Sequence, residues 1–474
     1  MEVTTILLII ALGAGFYMAW SIGANDVANA MGTSVGSGAL TVKRAVIIAA
    51  VLEFAGAFLV GTHVSETIRK GIISPELFLG NEFDLVFGMI GALLAAAVWL
   101  QIASYFGWPV STTHSIVGAV LGFGVMYGGM HAADWAKVGS IAASWVISPL
   151  LSGTISYLIF MLIRRLIFYS DDPVRIAKKM TPYLVFFVFL VLTLAMVFKG
   201  LKNLKLDLGF SEAFLVAIIV GVVAAIISSF LVKRIKHVEQ KEKLNVKQPA
   251  AVGKRIDKAL VHLQKALAKS DGQLGSELSN VVGDLSTLHN DLSRKLDTST
   301  ESSDYKTVEK IFVYLQILSA GFVAFAHGAN DVANAVGPLA AVITVISTGS
   351  FAAKSAVPIW VLGLGGLGIV IGLSTWGWRV MMTIGKKITE LTPSRGFAAE
   401  FAAAITIVLA SKLGIPVSTT HTLVGGVLGV GFARGIKALN LKVVTNIFIS
   451  WIITIPVGAI GAIIFYYILQ AIFG

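Results

Sequence analysis

Eight residues, Gly23-Ala24-Asn25-Asp26-Val27-Ala28-Asn29-Ala30, return unchanged as Gly328 to Ala335. An octapeptide repeated within one chain marks a duplication. Each copy sets one carboxylate and two carboxamides in an otherwise apolar run. Glycine and asparagine tolerate an unwound backbone, which would free carbonyls at that point. Such carbonyls, with the oxygens of Asp26, Asp331 and their neighbouring asparagines, are hard ligands suited to an alkali cation. A polar network holding helices together is the competing reading. Aspartate is an expensive choice for that purpose in an apolar setting.

A second pair accompanies the first. Pro109-Val110-Ser111-Thr112-Thr113-His114 reappears as Pro416-Val417-Ser418-Thr419-Thr420-His421, and 12 of the residues 109–124 are identical in 416–431. Each copy follows a glycine, Gly107 or Gly414, and leads into a glycine-spaced apolar run. Proline suits a first helical turn, where its missing N–H has no partner to lose. Serine and threonine cap such an end, and a helix N-terminus is a ready anion site. Three successive hydroxyls there suit a small oxyanion that needs many hydrogen bonds. The plain alternative is a capped helix packed in a bundle, although a cap needs only one hydroxyl.

Two further acids lie in apolar surroundings, Glu53 in Val51-Leu52-Glu53-Phe54 and Glu400 in Ala398-Ala399-Glu400-Phe401. They do not occupy matching places: Glu53 falls in the second element of its repeat and Glu400 in the third. Each suits a cation ligand, a proton-linked group or a protonated structural carboxyl. The embedded motifs hold four acids and no lysine or arginine, so no basic clamp is available for an anion. An anion beside those carboxylates would be repelled unless cations came with it. Sodium supplies that charge, and so does protonation. Cation-coupled symport of an anion follows from the charge balance.

The remaining embedded polar residues carry weaker signals. His114 and His421 end the hexapeptides, where hydrogen bonding within the turn is a simpler role than proton relay. His63 and His327 have no ligand spacing and no assignment. Gly363-Leu364-Gly365-Gly366-Leu367-Gly368 reads as close helix packing, since no strand–loop–helix context accompanies it.

The elements that must position these residues are membrane helices. The 474 residues are 56% hydrophobic and 13% charged, with a mean hydropathy of +0.83; a soluble domain has about 25% charged residues. Apolar runs long enough to cross about 30 Å of hydrocarbon recur, continuous rather than alternating, which argues against a transmembrane barrel. Candidate segments are 4–31, 43–68, 83–106, 109–130, 137–168, 181–199, 211–232, 311–347, 354–388, 393–413, 416–434 and 442–472. Those at 109–130 and 416–434 begin at a proline and read as re-entrant half-helices. The fold expected is an all-α polytopic membrane protein of about 12 transmembrane elements, with re-entrant or broken helices at the core.

Cysteine is absent, which excludes disulfides, thiolate metal sites and cysteine nucleophiles. The first run, from about Thr5, follows no basic residue and reads as a retained helix rather than a signal peptide. The net charge of +11 fits basic cytoplasmic loops, and nothing calls for nucleic acid. Between 233 and 310 the chain turns polar. Ile256, Leu260, Leu263 and Leu267, then Leu278, Leu285, Leu288, Leu292 and Leu296, keep helical spacing around a turn at Ser270-Asp271-Gly272. An amphipathic helical hairpin is expected there, with a plain linker as the alternative. Three parts result: 1–232, a first transmembrane repeat with linking helices; 233–310, a cytoplasmic hairpin; and 311–474, a second repeat.

Lys43-Arg44, the Arg164–Lys179 stretch, the interval from Lys233, Lys386-Lys387 with Arg395, and Arg434 with Lys437 place their loops in the cytoplasm and the N-terminus outside. Lys199, Lys202 and Lys205 fall on the wrong side of that scheme. Seven crossings between the octapeptides would make the second copy enter the membrane in the opposite direction, an inverted-topology repeat.

The doubled octapeptide and hexapeptide resemble the signatures of the inorganic phosphate transporter family, the type III sodium–phosphate cotransporters, over roughly 1–232 and 311–474. The resemblance implies an inverted-repeat transporter of inorganic phosphate driven by sodium or protons, assembled as a homodimer in the cell membrane. It makes Asp26 and Asp331 the essential aspartates, with Asn25, Asn29, Asn330 and Asn334 as cation or phosphate ligands. Glu53 and Glu400 match acids required for transport. Ser111, Thr112, Thr113, Ser418, Thr419 and Thr420 match the substrate-binding hexapeptides.

The reading that follows is sodium-coupled phosphate symport by alternating access. Phosphate is held by both sets of hydroxyls with Asn29 and Asn334. Sodium, the coupling ion, is held by Asn25, Asp26, Asn330, Asp331, Glu53 and Glu400, with no other cofactor. A proton-coupled phosphate or sulfate permease is the alternative, followed by an anion channel. An enzyme acting on phosphate esters lacks any nucleophile–base or metal-ligand constellation.

Overall fold

A computed structural model describes residues 3–61, 72–73, 75–200, 208–235, 249–298, 303–349, 357–412 and 417–474. Among them fifteen α-helices follow one another: α1 Val3–Gly36, α2 Val42–Val60, α3 Glu82–Phe106, α4 Thr112–Gly128, α5 Trp135–Ile163, α6 Pro173–Gly200, α7 Phe210–Lys233, α8 Pro249–Leu267, α9 Gly272–Thr298, α10 Ser303–Thr348, α11 Ile359–Thr375, α12 Gly377–Met382, α13 Pro393–Lys412, α14 Thr419–Arg434 and α15 Leu441–Phe473. The described residues hold no strand, only an isolated bridge between Ile73 and Ala133. The all-α membrane fold is thus as the composition required. His63, Gly414, Pro416, Lys202 and Lys205 lie outside the described residues.

Among the described residues eight helices are long and apolar enough to cross a bilayer, and the pair α11–α12, bent by 56° with its π-turn to Lys387, makes nine. The other three apolar elements fall short for separate reasons. Helix α2 carries Lys43, Arg44 and Glu53 in 19 residues. Helices α4 and α14 have 17 and 16 residues, less than the ~20 a perpendicular crossing needs.

Helices divide by how much they hide. In α3 most residues from Leu85 to Ala103 are buried, whereas α5, α7 and α15 leave rows of large apolar side chains exposed, among them Leu150, Leu158, Ile226, Phe230, Ile452 and Ile464. Exposed leucines and isoleucines in that number suit contact with lipid, where no water penalises them. Prolines lie inside α5, α6, α10 and α15, at Pro149, Pro182, Pro338 and Pro456. Membrane helices tolerate them because neighbours re-satisfy the freed carbonyls.

Two compact units emerge. One comprises residues 1–160, 185–224 and 313–474 and holds both repeated motifs. The other comprises 161–184 and 225–312 and includes the α8–α9 hairpin.

Candidate ion and substrate site

The hexapeptides sit where helices restart. Helix α3 ends at Gly107, whose φ of 69° is left-handed and open to glycine at little cost. Trp108 precedes a proline and is steered away from the helical region. Asn25 then ties down the turn: its Nδ2 donates to Ser104 Oγ and the Trp108 carbonyl, each at 3.0 Å, and its Oδ1 accepts from Val110 N–H at 3.2 Å. Ser111 caps α4 by accepting from His114 N–H at 3.2 Å, and Ser418 caps α14 by accepting from His421 N–H at the same distance. The serines therefore perform the capping role, and the paired threonines point elsewhere.

The octapeptides lie within unbroken helices, α1 and α10. The expectation that Gly-Ala-Asn-Asp unwinds and frees carbonyls is corrected here. The backbone keeps its helical hydrogen bonds, and only side chains are offered. Glycine serves close approach instead. A Cβ on Gly23 would collide with the Ile369 carbonyl of α11, and one on Gly328 with the Glu53 carbonyl of α2. One turn away, Gly372 meets the Trp20 carbonyl and Gly56 the Phe325 carbonyl. These four contacts form two matched pairs, so each octapeptide helix rests on the second helix of the other repeat.

The threonines reach across the repeats in the same matched fashion. Asn29 Nδ2 donates to Thr420 Oγ1 at 2.9 Å and Thr419 Oγ1 at 3.4 Å. Asn334 Nδ2 donates to Thr112 Oγ1 at 3.2 Å and Thr113 Oγ1 at 3.5 Å. Thr420 also donates to Asp26 Oδ1, and Thr419 to Asp331 Oδ2, both at 3.3 Å. Asn330 Nδ2 donates to the adjacent Asp331 Oδ1 at 2.8 Å. All eight of Asp26, Asp331, Asn29, Asn334, Thr112, Ser111, Ser418 and Thr420 are at most 2% exposed. The structure thus gathers both aspartates, both distal asparagines and the threonines in one buried place.

His327, unassigned in the sequence, stands at its centre. Its Nε2 is 2.6 Å from Asp331 Oδ2 and 4.0 Å from Asp26 Oδ2, and its Nδ1 is 3.5 Å from Glu53 Oε1. Glu53 joins the site through this imidazole. Asp26, His327 and Asp331 bring ligand atoms within 4.8 Å of one another. Asp26 Oδ2, Asn29 Oδ1 and both Glu53 carboxylate oxygens are buried without a hydrogen-bond donor. Buried oxygens in that state call for a cation or proton. Asn29, His327, Asn330 and Thr419 also line a cavity whose other wall is apolar, including Leu192 and Ile407.

Glu400 stands apart. Its Oε1 accepts from Ser34 Oγ at 2.9 Å, Gln316 Nε2 at 3.2 Å and Thr33 Oγ1, and its Oε2 accepts from Ser319 Oγ. No hydrogen bond joins it to the aspartates among the described contacts. Of the six cation-site candidates, Asp26, Asn330, Asp331 and Glu53 form the central group. Asn25 instead holds the turn at 108–110, and Glu400 is a separate carboxylate with its own shell of hydroxyls and amide.

His114 and His421 pack against aromatic rings and do not form the expected side-chain hydrogen bonds within their own turns. Their rings lie 4.3 Å apart, His114 lies 3.7 Å from Trp145, and His421 stacks on Trp451 at 3.5 Å. His421 Nδ1 meets the Trp145 carbonyl at 3.2 Å. Among the described residues no lysine or arginine is buried, so the missing basic clamp is also missing in space.

A helical, multi-pass membrane protein with carboxylates, amides and hydroxyls gathered at its buried centre belongs to the ion-handling transporters by construction. Comparison with known proteins makes this specific. The model described as "Phosphate transporter family" matches residues 22–462. The chain is 46% identical over 464 residues to "Inorganic phosphate transporter 2-1, chloroplastic" of Arabidopsis thaliana, covering 97% of this chain and 71% of the relative. It is 44% identical to a "Putative phosphate permease" of Chlamydia trachomatis, covering 99% of both. A solved structure described as "The sodium-dependent phosphate transporter" is similar with a TM-score of 0.79 and 38% identity, over 98% of this chain and 100% of that one. The chain belongs to the phosphate transporter family, and the resemblance read from its two motifs is correct.

Proposed function

We propose that the protein is a sodium-coupled symporter of inorganic phosphate that works by alternating access. The observation that carries this is the set of buried donor-less oxygens on Asp26, Asn29 and Glu53 beside cross-repeat threonines, with no buried lysine or arginine among the described residues. Carboxylate and carboxamide oxygens suit sodium. Hydroxyls and amide N–H groups at two capped helix starts suit phosphate oxygens. Neither ion is comfortable alone, since phosphate faces two aspartates and cations face the partial positive charge of helix ends. The sodium dependence of the transporter with the similar solved structure supports sodium over protons.

In this reading Asp26, Asp331, Asn330 and Glu53 form the cation shell, while Asn25 holds the turn that leads into α4. Thr112, Thr113, Thr419, Thr420, Asn29 and Asn334 hold phosphate. Ser111 and Ser418 accept one backbone N–H each and retain a hydroxyl hydrogen to donate. Glu400 holds a further cation within its shell of Thr33, Ser34, Gln316 and Ser319. The matched glycine contacts tie each octapeptide helix to the second helix of the other repeat, so those two cross-repeat pairs move as bodies. The parts 1–232, 233–310 and 311–474 serve as two inverted transmembrane repeats around a cytoplasmic hairpin, with the N-terminus outside and two copies per assembly. Because the chain lacks cysteine, single cysteines at Thr4 and Ser270 would report sidedness with an impermeant maleimide.

One observation favours proton coupling: His327 lies between Asp331 and Glu53, where a proton on the imidazole would replace a cation. Purified protein in liposomes separates the readings. A sodium gradient at fixed pH is expected to drive phosphate uptake. Uptake that ignores sodium and follows a pH gradient would overturn the sodium assignment. Flux of phosphate down its own gradient without either ion would indicate a channel.

A further inference from the structure

The α8–α9 hairpin shows an uncovered face that the transport reading does not use. Its seam is formed by the less exposed Ile256, Leu260, Leu263 and Leu267 of α8 and Leu278, Val282 and Leu285 of α9. A second apolar row remains outside it. Leu274, Val281 and Leu288 repeat every seventh residue along α9 and are 60%, 49% and 50% exposed. At about 100° per residue they lie roughly a quarter turn from the seam, the direction of a second neighbour in a four-helix bundle. On the same side α8 presents the small residues Ala259 and Ala266.

Charge flanks this face in opposite senses. Outside the apolar row, α9 carries the exposed acids Glu277 and Asp284, seven residues apart. Outside the alanines lie Arg255 and His262 of α8 and Lys269 in the turn that follows it, all exposed and also seven apart. The His289–Asp257 contact at 3.4 Å fixes the level at which the two helices pass. On that level Lys269 lies opposite Glu277 and His262 opposite Asp284.

The geometry points to a second copy of the same hairpin as the occupant of this face, with α9 of each copy lying over α8 of the other in an antiparallel four-helix bundle. Large apolar knobs then meet alanines, and the acidic row meets the basic one. A two-fold axis parallel to the helices produces this arrangement and keeps the level unchanged, so Val281 falls beside the partner copy's Ala266. The other two-fold stacking sets acid over acid and is disfavoured. The inference rests on the proposed two-copy assembly and names its contact.

The full chain, free of native cysteine, tests it. Val281→Cys with Ala266→Cys, oxidised in membranes, is expected to shift the protein to twice its mass on a denaturing gel. Within one hairpin these positions flank the seam too far apart for a disulfide. The control pair Val261→Cys with Gly283→Cys, on the other side, is expected to stay monomeric. Adding Glu277→Lys and Asp284→Lys should abolish the link, and adding His262→Glu and Lys269→Glu as well should restore it. Light scattering of the unlinked protein separates the two claims. A two-copy mass without the link, or equal linking of the control pair, overturns the hairpin contact and leaves the dimer. A one-copy mass overturns both, and a lipid surface or another protein covering this face would also leave the pair unlinked.

Discussion

At the scale of single residues, the proposed site divides into groups that would bind and groups that hold others in place. Asp26→Asn and Asp331→Asn keep size and remove charge. Loss of a charge-assisted contact is of the order of 1.5–3 kcal/mol, roughly ten- to a hundredfold. Each variant should lower sodium-driven phosphate uptake in liposomes by about that factor, with the sodium dependence itself shifted to higher concentration. Normal sodium dependence in both would remove the aspartates from the cation shell. Thr113→Val and Thr420→Val each delete one hydroxyl that an asparagine meets across the repeats. They are expected to raise KM for phosphate similarly, measured at saturating sodium. Ser111→Ala instead removes a cap, a loss of about 1 kcal/mol. It should lower the melting temperature more than it alters sodium dependence.

Single residues also show what the sequence concealed. The motifs announced themselves by repetition, and the structure gathers nearly all of them. His327, Gln316 and Ser319 did not repeat, and for that reason His327 drew no assignment and the other two no mention. Counting from the octapeptides, they stand where the first copy has Ile22, Ala11 and Ala14. Glu53 likewise lies against Gly328 as Ile369 lies against Gly23. A polar residue opposite an apolar mate was the available signal. Pairings such as His327 with Glu53 stayed out of reach because proximity across helices leaves no trace in spacing.

At the scale of elements, glycine sets how closely helices meet. Gly56 and Gly372 each oppose a carbonyl that a methyl group would strike. Overpacking of this kind costs about 1–3 kcal/mol. Gly56→Ala and Gly372→Ala should therefore lower the thermal midpoint in detergent by similar amounts, while Gly139→Ala, with nothing near its Cβ position, should not. The long apolar helices were legible from hydropathy because they are longer and more apolar than a soluble helix. Hydropathy does not tell a crossing from a shorter embedded helix such as α4 or α14. The continuity of α1 and α10 through Gly-Ala-Asn-Asp was not legible either. Asparagine and glycine permit a break, and neighbouring helices decide whether one occurs.

At the scale of the whole molecule, the proposed transport needs both repeats at once, because the second asparagine of each octapeptide meets hydroxyls of the other repeat. The expected sidedness follows the basic loops: a maleimide that cannot cross the membrane should label a cysteine at Thr4 in intact cells and one at Ser270 only after lysis. Labelling of both from outside would place the hairpin on the outer face.

The glycine contacts between α1 and α11 and between α10 and α2 carry one more consequence. During synthesis α1 enters the bilayer long before its bearing surface exists, and Asn29 must wait for Thr419, 390 positions later. Late partners of this kind make assembly slow and leave the early half dependent on the late one. A chain cut between Lys233 and Pro249 should consequently yield two fragments that are each short-lived alone. Expressed together, they should protect one another from proteolysis and recover uptake, as two halves of a clasp that closes only when both are present.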